Sequence, residues 1–184
     1  MTLLPITAES HGVTIDLRYA TADNLTGAPI YRRGDAYLHP DAAAALCRAV
    51  DLARPLGLRF RVYDAFRPVE AQWRLWRILP DPRFVADPRL GSAHGRGVAI
   101  DLTLETFDGE ILDMGTGFDE MAEASRHSSV SVPAAAQRNR RLLLGLMIAA
   151  GWAHYDPEWW HFNLPDPERY PLLSDSVLDR PMIG

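Results

Sequence analysis

The chain has 184 residues, 47% hydrophobic and 23% charged, with a net charge of −5 at neutral pH; this predicts one soluble domain spanning residues 1–184 with a sizeable core. The negative balance, with no run of Lys or Arg against it, excludes nucleic acid as the expected partner. No stretch reaches the roughly 20 apolar residues of a membrane span. The single Cys47 rules out an intrachain disulfide, and its Ala-rich helical setting predicts a small buried core residue. The first ten residues carry neither the positive nor the long apolar run of a leader peptide, so a cytoplasmic protein is expected. Nothing in the sequence sets an oligomeric state.

Alternation predicts a first strand over Gly12 to Tyr19, with Val13, Ile15 and Leu17 inward. Thr21 to Tyr31 is rich in turn formers and predicts a loop. A helix is expected from Pro40 to about Pro55, capped by Asp41, with Leu46, Val50 and Ala53 as its apolar stripe. Gly57 suits its left-handed end. Leu58 to Tyr63 predicts a second strand. Pro68 suits the first position of a helix over Val69 to Leu79, whose Trp73, Trp76 and Leu79 read as core. Arg67 then stands at a helix N-terminus, where a cation opposes the dipole; such placement points to a task or to pairing with Asp64.

An irregular loop rich in Pro and Asp leads to Ser92. The next strand carries the most chemistry. From Gly97, Val98, Ile100, Leu102 and Leu104 share one face, and Ala99, Asp101 and Thr103 the other. Asp101 is a lone carboxylate on an apolar strand, costly unless a cation or donor meets it. His94 lies seven residues upstream, and Gly95 and Gly97 let the backbone fold back. An imidazole and a carboxylate make two ligands for a zinc-type ion. Phe107 to Glu110 is a turn from which Ile111 to Met114 pairs back. Glu123 to Ser131 has little structural signal, and His127 there reads as solvated. Ala134 to Ala150 predicts a helix with Leu142, Leu143, Leu146 and Met147 inward and a solvated basic face of Arg138, Arg140 and Arg141. Strands are expected over Trp152 to Tyr155 and Trp160 to Leu164, with a Pro-rich tail on the surface. The Pro157-Glu158-Trp159-Trp160-His161 stretch offers a second imidazole and, three residues before it, a glutamate. Two histidines and an aspartate match a catalytic zinc that keeps one position open for water; a free carboxylate beside that water suits a general base.

These strings resemble the zinc D-alanyl-D-alanine peptidases, most closely the VanX-like D-alanyl-D-alanine dipeptidases. The resemblance rests on Ser-x-His-x-x-Gly-x-Ala-x-Asp from Ser92, on Glu-x-Trp-His from Glu158, on Asp23 to Gly27, on Tyr63 to Pro68, and on Met114 to Asp119, all in order. It implies an α+β fold in which a small antiparallel sheet carries the ligands and helices pack on its other face. It implies one Zn2+ per chain on His94, Asp101 and His161. Glu158 would act as base and Arg67 as donor to the reacting carbonyl oxygen. Asp119 would meet the amine of a small D,D-dipeptide and Ser92 its carboxylate; backbone capping near a turn is the alternative reading of Ser92. A D,D-carboxypeptidase or endopeptidase of peptidoglycan stems, or a zinc-bearing binding module without catalysis, are the competing expectations.

Overall fold

The computed structural model describes residues 2–82 and 85–183. Positions 83 and 84 of the loop before Ser92, and the two terminal residues, lie outside them. The strands are β1 (Leu4–Ile6), β2 (Thr14–Ile15), β3 (Ala36–Leu38), β4 (Leu58–Asp64), β5 (Ala99–Thr106), β6 (Ala153–His154) and β7 (His161–Asn163). The α-helices are α1 (Ala8–His11), α2 (Pro40–Ala53), α3 (Val69–Ile78) and α4 (Ala134–Ala149). Five strands form one sheet in the order β2-β4-β5-β7-β6. It is antiparallel except for the short β2–β4 pair. β1 and β3 form a separate antiparallel ribbon. The fold is α+β, as expected.

β5 is the hub. Val98, Ile100, Leu102 and Leu104 are fully buried, with α4 packed on β5 and α2 on the neighbouring β4. The opposite face is closed as well, since Ala99, Asp101, Thr103 and Glu105 are all buried. Glu105, unremarked in the sequence, accepts from Arg59 Nε and Arg61 Nε at 2.6 Å each and from the Thr14 hydroxyl. One carboxylate thus ties three strands together on the face that also carries Asp101.

Several local expectations are corrected. Only Thr14–Ile15 of the first predicted strand forms a strand, because a 3-10 turn over Arg18–Ala20 bends the chain inward. His39, not Asp41, caps α2: its Nδ1 accepts from the Asp41 amide at 3.1 Å. Cys47 is exposed; the buried stripe runs Ala42, Ala45, Leu46, Ala49, Val50, Ala53, and Cys47 lies about 100° from Leu46 around the helix. Pro68 precedes α3 as its cap rather than opening it, and Trp73 is exposed because Ala71, Gln72 and Leu75 form the buried stripe. Ile111 makes a single bridge to Glu105 rather than a strand. His127 is not solvated: both its ring nitrogens are buried, and it packs on His154 and Phe162. Arg140 is not on a solvated face but 1% exposed. The tail does more than wrap the surface, for Leu173, Leu178, Met182 and Ile183 enter the core.

Replacing Glu105 by Gln keeps its shape but removes the charge that holds two arginines. The variant is expected to lose about 2–3 kcal/mol of unfolding free energy, read as a lowered urea midpoint at pH 7; an unchanged midpoint would show that these strands are held by packing alone.

Candidate active site

The site is a row of residues across the sheet. Asp101 on β5 pairs in register with His161 on β7. On its other side it pairs with Asp64 on β4. That second pairing depends on a bulge: Val62 faces Leu102 and Asp64 faces Asp101, so Tyr63 is the extra residue. Without it, strand alternation would turn Asp64 to the core face with Phe60 and Val62. The bulge therefore brings Asp64 beside Asp101.

His94 arrives from the 3-10 turn His94–Arg96, which Gly97 ends at φ 69°. A Cβ at Gly97 would lie 2.7 Å from a Leu3 methyl and 3.2 Å from the His39 amide nitrogen, so glycine is required on two grounds. The His94 ring is fixed by donation from Nδ1 to the Ala65 carbonyl at 2.6 Å, which leaves Nε2 with its lone pair facing the site. The main chain fastens the same turn: Arg67 donates to the His94 carbonyl at 3.1 Å and Leu173 to that of Gly95 at 2.8 Å.

His94 Nε2 lies 3.3 Å and His161 Nδ1 3.0 Å from Asp101 Oδ1, with 3.1 Å between the two nitrogens. The three ligand atoms fall within 4.8 Å of one another. Two imidazole nitrogens facing each other over one carboxylate oxygen fit a divalent cation held by nitrogen and oxygen donors. Burial would raise the Asp101 pKa, but the two histidines outweigh it and hold the group well below the usual range.

Glu158 stands beside this triad with Oε2 3.9 Å from His161 Nδ1. Burial raises its carboxyl to about 7, Asp101 and Asp119 adding to the effect and His161 opposing it; a divalent cation alongside would pull it down. Arg67 is held by donation to Asp64 at 2.8 Å and to Gln72 at 3.1 Å. Its NH2 group lies 3.5 Å from Asp101 Oδ2. Both sequence alternatives for Arg67 hold together: it pairs with Asp64 and it reaches the site.

A cavity of about 290 Å3 opens on these groups. Ser92 lines it, and its Oγ also accepts from the Gly95 amide at 3.1 Å, the capping role. At another wall stands Asp119, on a loop where its own φ is 59°. Its Oδ2 accepts from the Tyr19 hydroxyl at 2.9 Å and the Leu25 amide at 3.2 Å. Burial raises it to about 6 against the opposing pull of Arg67. All seven residues singled out in the sequence line this one cavity. Sequence reasoning missed Tyr19, whose ring also lies under Arg67 at 4.9 Å; it missed Gln72, and it missed Tyr155, 5.8 Å ring to ring from His161. Their signals were ordinary: a tyrosine ending a strand, a glutamine in a helix and a tyrosine before a turn.

The geometry gives a triad that could hold a metal ion, with a free acid and a half-buried guanidinium beside it, the arrangement suited to a metal-dependent hydrolase. A family model described as D-ala-D-ala dipeptidase matches residues 1–181, and the chain belongs to that family. It is 52% identical to the D-alanyl-D-alanine dipeptidase of Escherichia coli (strain K12) over 161 residues, 88% of this chain and 83% of that protein. It is 34% identical to that of Enterococcus faecium over 94% of each chain, and 37% identical to that of Streptomyces coelicolor over 86% and 91%. No helix among the described residues is long and apolar enough to cross a membrane.

The triad generates a direct expectation. Equilibrium dialysis against Zn2+ should give one ion per chain for the wild type and none retained by Asp101→Ala; ions retained by that variant would place the binding elsewhere.

Proposed function

We propose that this protein hydrolyses D-Ala-D-Ala to two D-alanines, with His94, Asp101 and His161 holding one Zn2+. The observation that carries the reading is the unliganded Glu158 beside that triad, in a chain 52% identical to a D-alanyl-D-alanine dipeptidase. When bound, the ion supplies Lewis acidity to the scissile carbonyl and to water. Glu158 takes the proton of the attacking water as the C–O bond forms at the carbonyl carbon. It returns that proton to the leaving nitrogen as the C–N bond breaks. The desolvation that raises this carboxyl opposes the downward pull of the ion, which suits a group that must take and return one proton. Arg67, pre-oriented by Asp64 and Gln72, donates to the carbonyl oxygen as charge develops there.

The small cavity favours a dipeptide over a polymer; about 290 Å3 is at the lower end of the roughly 300–1,000 Å3 of small-molecule pockets. Asp119 meets the substrate ammonium, with Tyr19 and the Leu25 amide fixing its carboxylate. An acylated amine would leave Asp119 buried without a cation, the kind of mismatch that rejects a substrate strongly. Ser92, accepting through Oγ at the turn, keeps its hydroxyl hydrogen to donate to the substrate carboxylate.

Glu158→Ala should retain zinc and lose about 10^3-fold or more in kcat, and Arg67→Ala should lower kcat by about 10^2-fold with metal content unchanged. Near-normal turnover in the first, or metal loss in the second, would remove the assigned role. Zinc-loaded protein given D-Ala-D-Ala and N-acetyl-D-Ala-D-Ala should release D-alanine only from the former; release from both would favour a carboxypeptidase. Because the ammonium needs Asp119 ionised, KM for the dipeptide should rise as the pH falls through about 6, and Asp119→Asn should abolish that rise. A rise that persists in Asp119→Asn would assign the titration to another group.

A further inference from the structure

Helix α4 sends one cation into the interior. Around Arg140 the buried positions of the helix are apolar: Ala136, Leu143, Leu146 and Met147. The guanidinium is met by neutral oxygens. Nε donates to the Met114 carbonyl at 2.6 Å, one terminal nitrogen to the carbonyls of Ala124 and Arg126 at 2.7 and 2.8 Å, and the other to Thr116 Oγ1 at 3.1 Å. Asp113 and Glu120 act on it through space. A buried charge must recover what it loses in hydration. Here protein oxygens from both ends of one loop do so. A rigid guanidinium fork fixes where those oxygens sit relative to one another.

That loop, residues 114–126, contains no regular element except the 3-10 turn Glu123–Ser125. Asp119 stands inside it, in a left-handed conformation that costs a non-glycine residue and persists only when its surroundings impose it. The same clamp reaches the base. Thr116 Oγ1 also accepts from the Trp159 indole at 2.9 Å, and the Trp159 amide donates to the Ser125 carbonyl at 3.0 Å. Trp159 directly follows Glu158 in the chain. Arg140 itself does not line the cavity.

We infer that Arg140 is a positioning residue for amine recognition: by clamping loop 114–126 it holds Asp119 at the place where a free ammonium is read, and so sets the enzyme's requirement for an unblocked dipeptide. The inference rests on the proposed role of Asp119. Lysine at this position keeps the charge but cannot span four oxygens on two sides of the loop, so it should loosen Asp119 while leaving the metal triad intact.

The test measures binding to zinc-loaded protein by calorimetry, which does not depend on turnover. The probes are the phosphinic analogue of D-Ala-D-Ala and the same analogue with hydrogen in place of the amine. Their affinity ratio reports amine recognition alone. In Arg140→Lys the ratio should fall about tenfold, as expected for a weakened charged hydrogen bond, while affinity for the amine-free analogue stays within about twofold. Thr116→Val, which removes the oxygen shared by Arg140 and Trp159, should shift the ratio the same way; it carries the comparison alone if Arg140→Lys does not melt cooperatively. The double variant Arg140→Lys, Asp119→Asn should have the ratio of Asp119→Asn. The inference is overturned if the ratio stays at the wild-type value, or if both analogues weaken alike, which would mark Arg140 as structural only. Should Asp119→Asn itself keep the wild-type ratio, the failure lies with the reading of Asp119.

Discussion

A carboxylate buried in the middle of a strand is the constraint on which the rest of this structure depends. Asp101 is 2% exposed, with Ile100 and Leu102 beside it in the chain and Ala99 and Thr103 next to it on its face, and an uncompensated charge there would cost more than the fold can supply. Everything that meets it is attached to β5. His161 is placed by strand register, Asp64 by a bulge, His94 by a turn that only Gly97 can close, and Arg67 by the chain leaving β4. The precision of the centre follows, since side chains on hydrogen-bonded strands move little relative to one another. A one-residue slip of β4 would remove Asp64, and with it the hydrogen bond that aims Arg67.

Three carboxylates share the cavity, and their surroundings separate their chemistry. Asp101 faces two imidazoles and stays ionised. Asp119 keeps a hydroxyl and an amide as donors and rises only to about 6. Glu158 is half-buried with no hydrogen-bond donor among the described residues, and desolvation raises it to about 7 before any cation acts on it. The order matches the proposed work: a ligand should stay charged, an ammonium acceptor should be charged at neutral pH, and a base that must take and return one proton should sit near neutrality.

The centre was legible because its residues are local anomalies: a carboxylate on an apolar strand, a histidine between glycines, a glutamate and a histidine in one turn. Helix α4 and strands β4 and β5 were legible from periodicity alone. The failures share one cause. Which side of an amphipathic helix is buried turns on one residue: the predicted α2 stripe of Leu46, Val50 and Ala53 is buried but Cys47 lies beside it and faces solvent, while α3 is rotated from its tryptophan stripe so that Trp73 is exposed. Arg140 misled for the opposite reason: an arginine in a run of polar residues looks like surface, and only the loop folded over α4 makes it interior. The bulge at Tyr63 left no trace, because Tyr-Asp extends a strand equally well in either register.

The walls of the cavity follow a different rule from its floor. The loops that enclose it lack regular structure, and polar side chains tie each to itself or to a helix. Asn24 bonds the carbonyls of Arg18, Thr21 and Ala28 and folds the 21–31 segment so that the Leu25 amide reaches Asp119. From α3, Gln72 donates to the Ala86 carbonyl while accepting from Arg67. From α4, Arg140 gathers the 114–126 loop. One amide, a second amide and a guanidinium thus replace the main-chain ladders that a sheet or helix would provide. Loops held this way can change length and sequence so long as their carbonyls still meet the tie. Asp101 and His161, locked into strand register, have no such freedom. A protein built on both rules can alter its walls without moving the strand-borne Asp101 and His161, while Arg67 and Glu158, tied to those walls through Gln72 and Trp159, feel the change.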